Sequence, residues 1–400
     1  MSYPGAPADR PRRRRGWPSN PQGGGYMPPQ NPRPRPGQFR QPPPPPPAPP
    51  RSAPPPSAPP PSAPPPRRSQ RRPPPPPPPA RRRRRGGTIK RVLLVVLVLL
   101  AALGGYVDTT LTRIEALSDY PDRVGNTPGT NWLIVGSDSR EGLSPQEQSE
   151  LATGAVEGRR TDTIMLLHVP GFLAEGQPTL VSLPRDSSVP VPGEGRLKLN
   201  AAYSIGGPPL LAQTVETVTG VRLDHYAEIG FGGFAGIVDD IGGVELCLPE
   251  PISDPLAGID LPAGCQELSG PQALGYVRTR ASANGDLDRV MRQREFLGAL
   301  VGKATSPAVL ANPFRAVPLI TGAPDALTVG NGDHIWHLAR LGWSMRGISS
   351  GGVVTTTVPI AGFGEVDDGG SAVLWDRDAA GTMFDALAQD RPVPPEVLPG

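Results

Sequence analysis

Val92–Val107 reads Val-Leu-Leu-Val-Val-Leu-Val-Leu-Leu-Ala-Ala-Leu-Gly-Gly-Tyr-Val, with no charged or strongly polar side chain. Nothing constrains this chain more, because such a run has to be kept from water. With Ile89 and the snorkelling stems of Lys90 and Arg91 it approaches the ~20 residues that cross a bilayer core. A cleavable signal peptide is the competing reading, but the 88 residues in front of it argue against cleavage. We therefore expect one transmembrane helix over 89–108. Arg81–Arg85, Lys90 and Arg91 precede it, so the amino terminus should be cytoplasmic and everything after Asp108 outside.

This division explains a charge balance that looks bland in total. Residues through Arg91 hold 20 of the 40 Lys and Arg but one acid, Asp9, of the 37, leaving 20 against 36. The overall +3 thus combines a tail near +19 with a remainder near −16. Residues 1–88 run through proline and arginine blocks such as 42–50 and 73–85 and offer almost nothing to bury. We expect a disordered cytoplasmic tail with stiff polyproline stretches. Its charge suits an anionic membrane surface; for nucleic acid it lacks interleaved aromatics and a fold, so no nucleic-acid partner is expected.

The two cysteines, Cys247 and Cys265, both fall in the exported half. A disulfide is allowed there and would stabilise by roughly 3 kcal/mol. Zinc is the competing reading, but His168, His225, His334 and His337 show no spacing that would complete a site.

Buried-strand patterns occur at Trp132–Val135, Thr163–Val169, Thr179–Leu183, His225–Ile229, Val244–Leu248 and Val353–Val358. Helical patterns occupy Pro208–Thr219, Phe231–Ile241, Leu287–Lys303, His334–Met345 and Asp378–Ala388, with Gly220 and Gly242 suited to helix ends. Alternating strands and helices predict one α/β domain around a covered sheet. The expected organisation is a juxtamembrane linker over 109–128, a domain over 129–392 and a short tail over 393–400.

Residues 276–294 set five arginines in an otherwise acidic region. Read as a strand and then a helix, they aim Arg278 and Arg280 from one face and Arg289 and Gln293 from another. Converging guanidinium forks suit a phosphate or pyrophosphate. On the helix from Leu287, Arg289, Gln293, Phe296 and Leu300 share one stripe, flanked by Val290 and Leu297. A polar end on an apolar stripe fits a pocket for a charged head and a greasy tail; the alternative is a buried arginine satisfied by Asp286 or Asp288. Three strand ends add carboxylates beside cations: Asp138 before Arg140, Asp162 after Arg159 and Arg160, and Asp186 after Arg185. No phosphate-binding Gly-rich loop ending in Lys, no nucleophile elbow and no His-Glu-x-x-His is present. What remains is phosphoryl chemistry by positioning.

The motifs Asn131-Trp-Leu-Ile-Val-Gly-Ser-Asp-Ser-Arg140, Gly158-Arg-Arg-Thr-Asp-Thr-Ile164, Val181-Ser-Leu-Pro-Arg-Asp186, Lys198-Leu-Asn-Ala-Ala-Tyr203, Asp224-His-Tyr226, Asp240-Ile-Gly-Gly-Val244, Ala273-Leu-Gly-Tyr-Val-Arg-Thr-Arg280, Gly285-Asp-Leu-Asp-Arg289 and Arg292-Gln293 follow one another in order. Together they resemble the LytR-CpsA-Psr family of cell-wall glycopolymer ligases over roughly 129–304. The resemblance implies a three-layer α/β/α extracytoplasmic catalytic domain with a mixed central sheet. It implies a phosphotransferase that moves a glycopolymer-1-phosphate from a polyprenyl-pyrophosphate carrier to a peptidoglycan sugar hydroxyl. By the same carry-over Asp138 and Asp162 would hold Mg²⁺ or Mn²⁺. Arg160, Arg185, Arg278, Arg280, Arg289 and Gln293 would surround the pyrophosphate, and Asp162, Arg160 and Arg185 would be catalytic. Thr161 stands where the family often has serine, and residues after about 310 match less clearly. Two other classes are a membrane-bound transcriptional regulator without catalysis and a lipid pyrophosphatase. A composition rich in Ala, Gly, Pro and Arg associates the chain with arabinogalactan-bearing bacteria.

Overall fold

A computed structural model describes residues 85–139, 143–152, 161–279, 286–365 and 370–398. The apolar run lies within a helix, Arg85–Thr110, whose Lys90–Thr110 part is exposed almost throughout. At 1.5 Å per residue those 21 residues span about 31 Å, which matches a bilayer core and fits a single-pass anchor. Only Gly104, Val107, Asp108 and Thr110 of its last two turns are partly or fully covered.

The domain is built on a mixed seven-stranded sheet. Its strands, from one edge to the other, are Thr112–Ile114, Leu327–Gly330, His225–Ile229, Thr130–Ser137, Thr161–Val169, Thr179–Ser182 and Val354–Thr357. Thr130–Ser137 runs parallel to His225–Ile229 and antiparallel to Thr161–Val169. Alternate residues of the central strands face opposite layers of helix. Leu133, Val135, Leu166 and Val181 pack against Leu199–Thr219 and Arg377–Ala388. Trp132, Met165, Leu167 and Leu180 pack with Leu297, Val301, Leu338 and Leu341 from Asp286–Ala304 and Ile335–Ser344. Burial on both faces is why these strands read as nearly unbroken apolar runs. The three-layer α/β/α architecture is therefore present.

All six strand patterns form strands, but Val244–Leu248 lies outside the central sheet. Among the described residues it pairs only with Gly264–Leu268, and its inward residues cover a second core with Phe296 and Tyr276. Cys247 and Cys265 face each other across this pair and are joined in a disulfide. The helix expected from Pro208 begins at Leu199 and kinks at Gly207, whose φ of 64° lets the chain turn before Pro208 and Pro209. Gly220, at φ 66°, ends it as expected, its N–H donating to the Glu216 carbonyl.

The segment read as a linker is built into the domain. Thr112–Ile114 is an edge strand and Ala116 is fully buried. Arg123 donates from Nε and an Nη to the two Glu216 carboxylate oxygens at 2.8 Å each, and Tyr120 donates to the same group at 2.7 Å. The end of the chain is also engaged, because Val393, Val397 and Leu398 pack on the core.

Candidate functional site

Strand direction gathers the chemistry at one edge of the sheet. Ser137 is paired with Thr161, so Asp138 and Asp162 stand where neighbouring antiparallel strands end and begin. Leu183 donates its N–H to the Ile164 carbonyl, which brings the following Pro184-Arg185-Asp186 turn to that edge. There Arg185 ion-pairs with Asp162 and donates from Nε to Asp186 at 3.2 Å, while Lys198 lies 3.7 Å from Asp186. Asp162 and the Arg185–Asp186 pair thus form one alternating set of charges with Lys198, in which Arg185 holds two carboxylates at once.

Two cavities meet here. The first encloses about 840 Å³, mouth included, and is almost wholly apolar, with Ile134, Phe231, Phe234, Leu274, Phe296 and Leu300 in its wall. Its wall follows from helix periodicity, since Phe231 and Phe234 share a face, as do Phe296 and Leu300. The second, of about 1110 Å³, is more polar and is lined by Pro184, Arg185 and Asp186. Asp162, Arg289 and Gln293 line both. Arg289 and Gln293 lie one turn apart on Asp286–Ala304, as the stripe predicts, and Arg289 is only 4 % exposed. The arrangement offers a dry channel for an apolar chain that opens onto cations at its polar end.

The strand expected before this helix is instead a helix, Gly270–Arg278. Ser269 and Gln272 form a reciprocal capping box and Pro271 sits in the first turn, a start signal that outweighs the strand-like Tyr276-Val277. Arg278, in its last turn, lines the apolar cavity, places its guanidinium 4.7 Å above the Phe231 ring and donates to the Leu151 and Ala152 carbonyls at 3.1 and 3.3 Å. Tyr276 donates to Glu295 at 3.0 Å, tying this helix to the one that carries Arg289. Burial and the Glu295 carboxylate push the Tyr276 phenol well up, so it stays a donor. Gln293 donates to the Val277 carbonyl at 3.3 Å. Arg160 and Arg280 lie outside the described residues, as do the side chains of Asp286 and Asp288.

The helical stripe foretold Phe296 in the wall but not Phe231 or Phe234, nor two hydroxyls. Ser137 lines the apolar cavity and Ser182 the polar one; both are buried, and neither hydroxyl has a hydrogen-bond partner among the described residues. Their place two strands apart was fixed by pairing, which no local motif displays.

An apolar cavity thus meets an arginine-lined cleft at one edge of the sheet. The sequence profile of the LytR_cpsA_psr family matches residues 110–389, and the chain belongs to that family. It is 56 % identical over 283 residues to the "Probable cell wall biosynthesis protein LcpB" of Corynebacterium glutamicum, covering 70 % of this chain and 66 % of that one. It is 33 % identical over 208 residues to the "Polyisoprenyl-teichoic acid--peptidoglycan teichoic acid transferase TagU" of Enterococcus faecalis, covering 52 % and 64 %. The chain thus spans just under two thirds of the length of these relatives. The solved LytR-Csp2A-Psr enzyme from Actinomyces oris superposes with a TM-score of 0.53 at 25 % identity, over 70 % of this chain and 95 % of that one.

Proposed function

We propose that this protein is a phosphotransferase that moves a glycopolymer-1-phosphate from a polyprenyl-pyrophosphate carrier to a sugar hydroxyl of peptidoglycan. The observation that carries this reading is the shared wall of the two cavities at Asp162, Arg289 and Gln293. A polyprenyl chain suits the apolar side, a pyrophosphate the cations at its end, and a sugar the more polar cleft. In the reaction the acceptor oxygen bonds to the glycan-bearing phosphorus, the phosphoanhydride bond breaks, and polyprenyl monophosphate leaves. Arg289, Arg278 and Arg185, with Arg160 and Arg280, would stabilise charge on the transferring group, and Asp162 would take the acceptor's proton. Asp162 is already oriented by Arg185, which suits that task.

Asp138 and Asp162 are hard oxygen donors at paired strand ends, a donor set that fits Mg²⁺ or Mn²⁺. Such an ion, when bound, would neutralise phosphate charge. The names of the relatives support cell-wall glycopolymer attachment, and arabinogalactan is the polymer we assign to it. Because a basic cluster precedes the anchor helix, we assign the domain to the outside of the cell and the tail to the cytoplasm.

The full chain in vesicles, supplied with Mg²⁺, lipid-linked glycan and peptidoglycan oligomers, should yield a phosphodiester-linked product and polyprenyl monophosphate by mass spectrometry. Intact substrates would overturn the reading. Free glycan phosphate released in the presence of acceptor would make the protein a pyrophosphatase.

A further inference from the structure

The anchor helix joins the domain at the outermost strand Thr112–Ile114, beside a surface that glycopolymer transfer does not use. Asp108, in the last turn of Arg85–Thr110, accepts the Ile335 N–H at 2.9 Å and lies 3.0 Å from His334 and 2.9 Å from Arg113. It therefore caps the amino-terminal end of Ile335–Ser344 and fixes that helix to the end of the anchor. Leu338 and Leu341 turn inward onto the sheet. The outward arc consists of Trp336, Ala339, Arg340 and Trp343, which share one face at helical spacing. The two indoles are 57 % and 66 % exposed, and Arg346 lies 5.0 Å over the Trp343 ring.

We propose that this arc rests in the headgroup layer of the bilayer that the anchor crosses, and so holds the domain against the membrane at a fixed tilt. The inference rests on the reading of Arg85–Thr110 as a membrane anchor. Three observations favour lipid over a protein partner. The anchor leaves the bilayer at Asp108, and the Asp108–Ile335 bond sets Trp336 one residue from that exit. Tryptophan with arginine is the pairing that suits the boundary between headgroups and acyl chains, the indole half buried and the guanidinium on phosphate. Finally, Phe172 and Leu173, 100 % and 93 % exposed, follow the strand ending at Val169, which packs in the same apolar cluster as Leu338 and Leu341 of this helix. A plane touching the helix and this loop tip would meet apolar side chains at both.

The test uses the full chain in nanodiscs of phosphatidylcholine and phosphatidylglycerol brominated on the acyl chains, alongside a Trp336→Phe/Trp343→Phe double variant. Phenylalanine keeps the apolar ring and removes the reporter. Bromolipid should quench the tryptophan emission of the parent, and the quenched share should fall at least about twofold in the double variant. Equal quenching in both proteins, with both incorporated into discs, would overturn the surface and leave the anchor standing. Failure of the chain to enter discs would overturn the anchor and the surface with it. Indoles shielded from iodide only in discs holding two copies would assign the arc to a second copy and overturn the lipid.

Discussion

Arg289 is a cation kept almost dry at a point where an apolar cavity becomes polar, and its value lies in what it meets there. Arg289→Ala should lower transfer by about 10²-fold, the usual cost of removing one preorganised charge-stabilising donor, with little change in thermal unfolding. The product assay together with a melting curve checks both halves. Arg123 is a structural contrast. Its loss would leave Glu216, which is fully buried, facing Tyr120 and Arg222 without its bidentate partner. Arg123→Ala should cost about 3–5 kcal/mol in chemical denaturation. Burial and the Glu216 carboxylate push the Tyr120 phenol up to about 12, so Tyr120 stays protonated and keeps donating to Glu216.

Among the elements, the two-stranded pair Val244–Leu248 and Gly264–Leu268 is the one held covalently. Cys247→Ser with Cys265→Ser should lower stability by roughly 3 kcal/mol while transfer per folded molecule stays unchanged; denaturation midpoints and the product assay separate the two. At the other edge, His337 stands beside His225 and Asp333, and burial with the neighbouring His225 lowers its pKa. Its unfolded form binds protons first, so its contribution is complete above about pH 6.5 and is lost as pH falls through the lowered value. Melting temperature should drop over that range, and His337→Gln should flatten the drop. These elements also show what a sequence displays and what it hides. The central strands and the Arg289–Gln293 stripe were legible because period 2 and period 3.6 are local signals. Helix Gly270–Arg278 was misread because β-prone Tyr276 and Val277 drew attention from the Ser269–Gln272 cap. Thr112–Ile114 and Leu327–Gly330 were missed as strands because their edge pairing is set by partners more than 200 residues apart. The histidine cluster was invisible for the same reason, as spacing in sequence says nothing about residues brought together by pairing.

For the whole molecule, what matters is the height at which it works. Strand register sets Thr112, the first strand residue after the anchor, level with Val135, close to Ser137 at the edge that holds Asp138 and Asp162. From Val135 to Ser137 the strand rises only about 7 Å. In the proposed reading the carrier's pyrophosphate reacts outside the bilayer, so part of its apolar chain must leave the leaflet with it. Each methylene lifted into water would cost about 0.8 kcal/mol, and the apolar cavity is the dry berth that offsets this. Carriers truncated to a few isoprene units should therefore show a raised KM when presented in vesicles, although their reacting groups are identical; initial rates over a series of chain lengths would measure the rise. In this reading the apolar cavity selects carriers by reach before any chemistry begins.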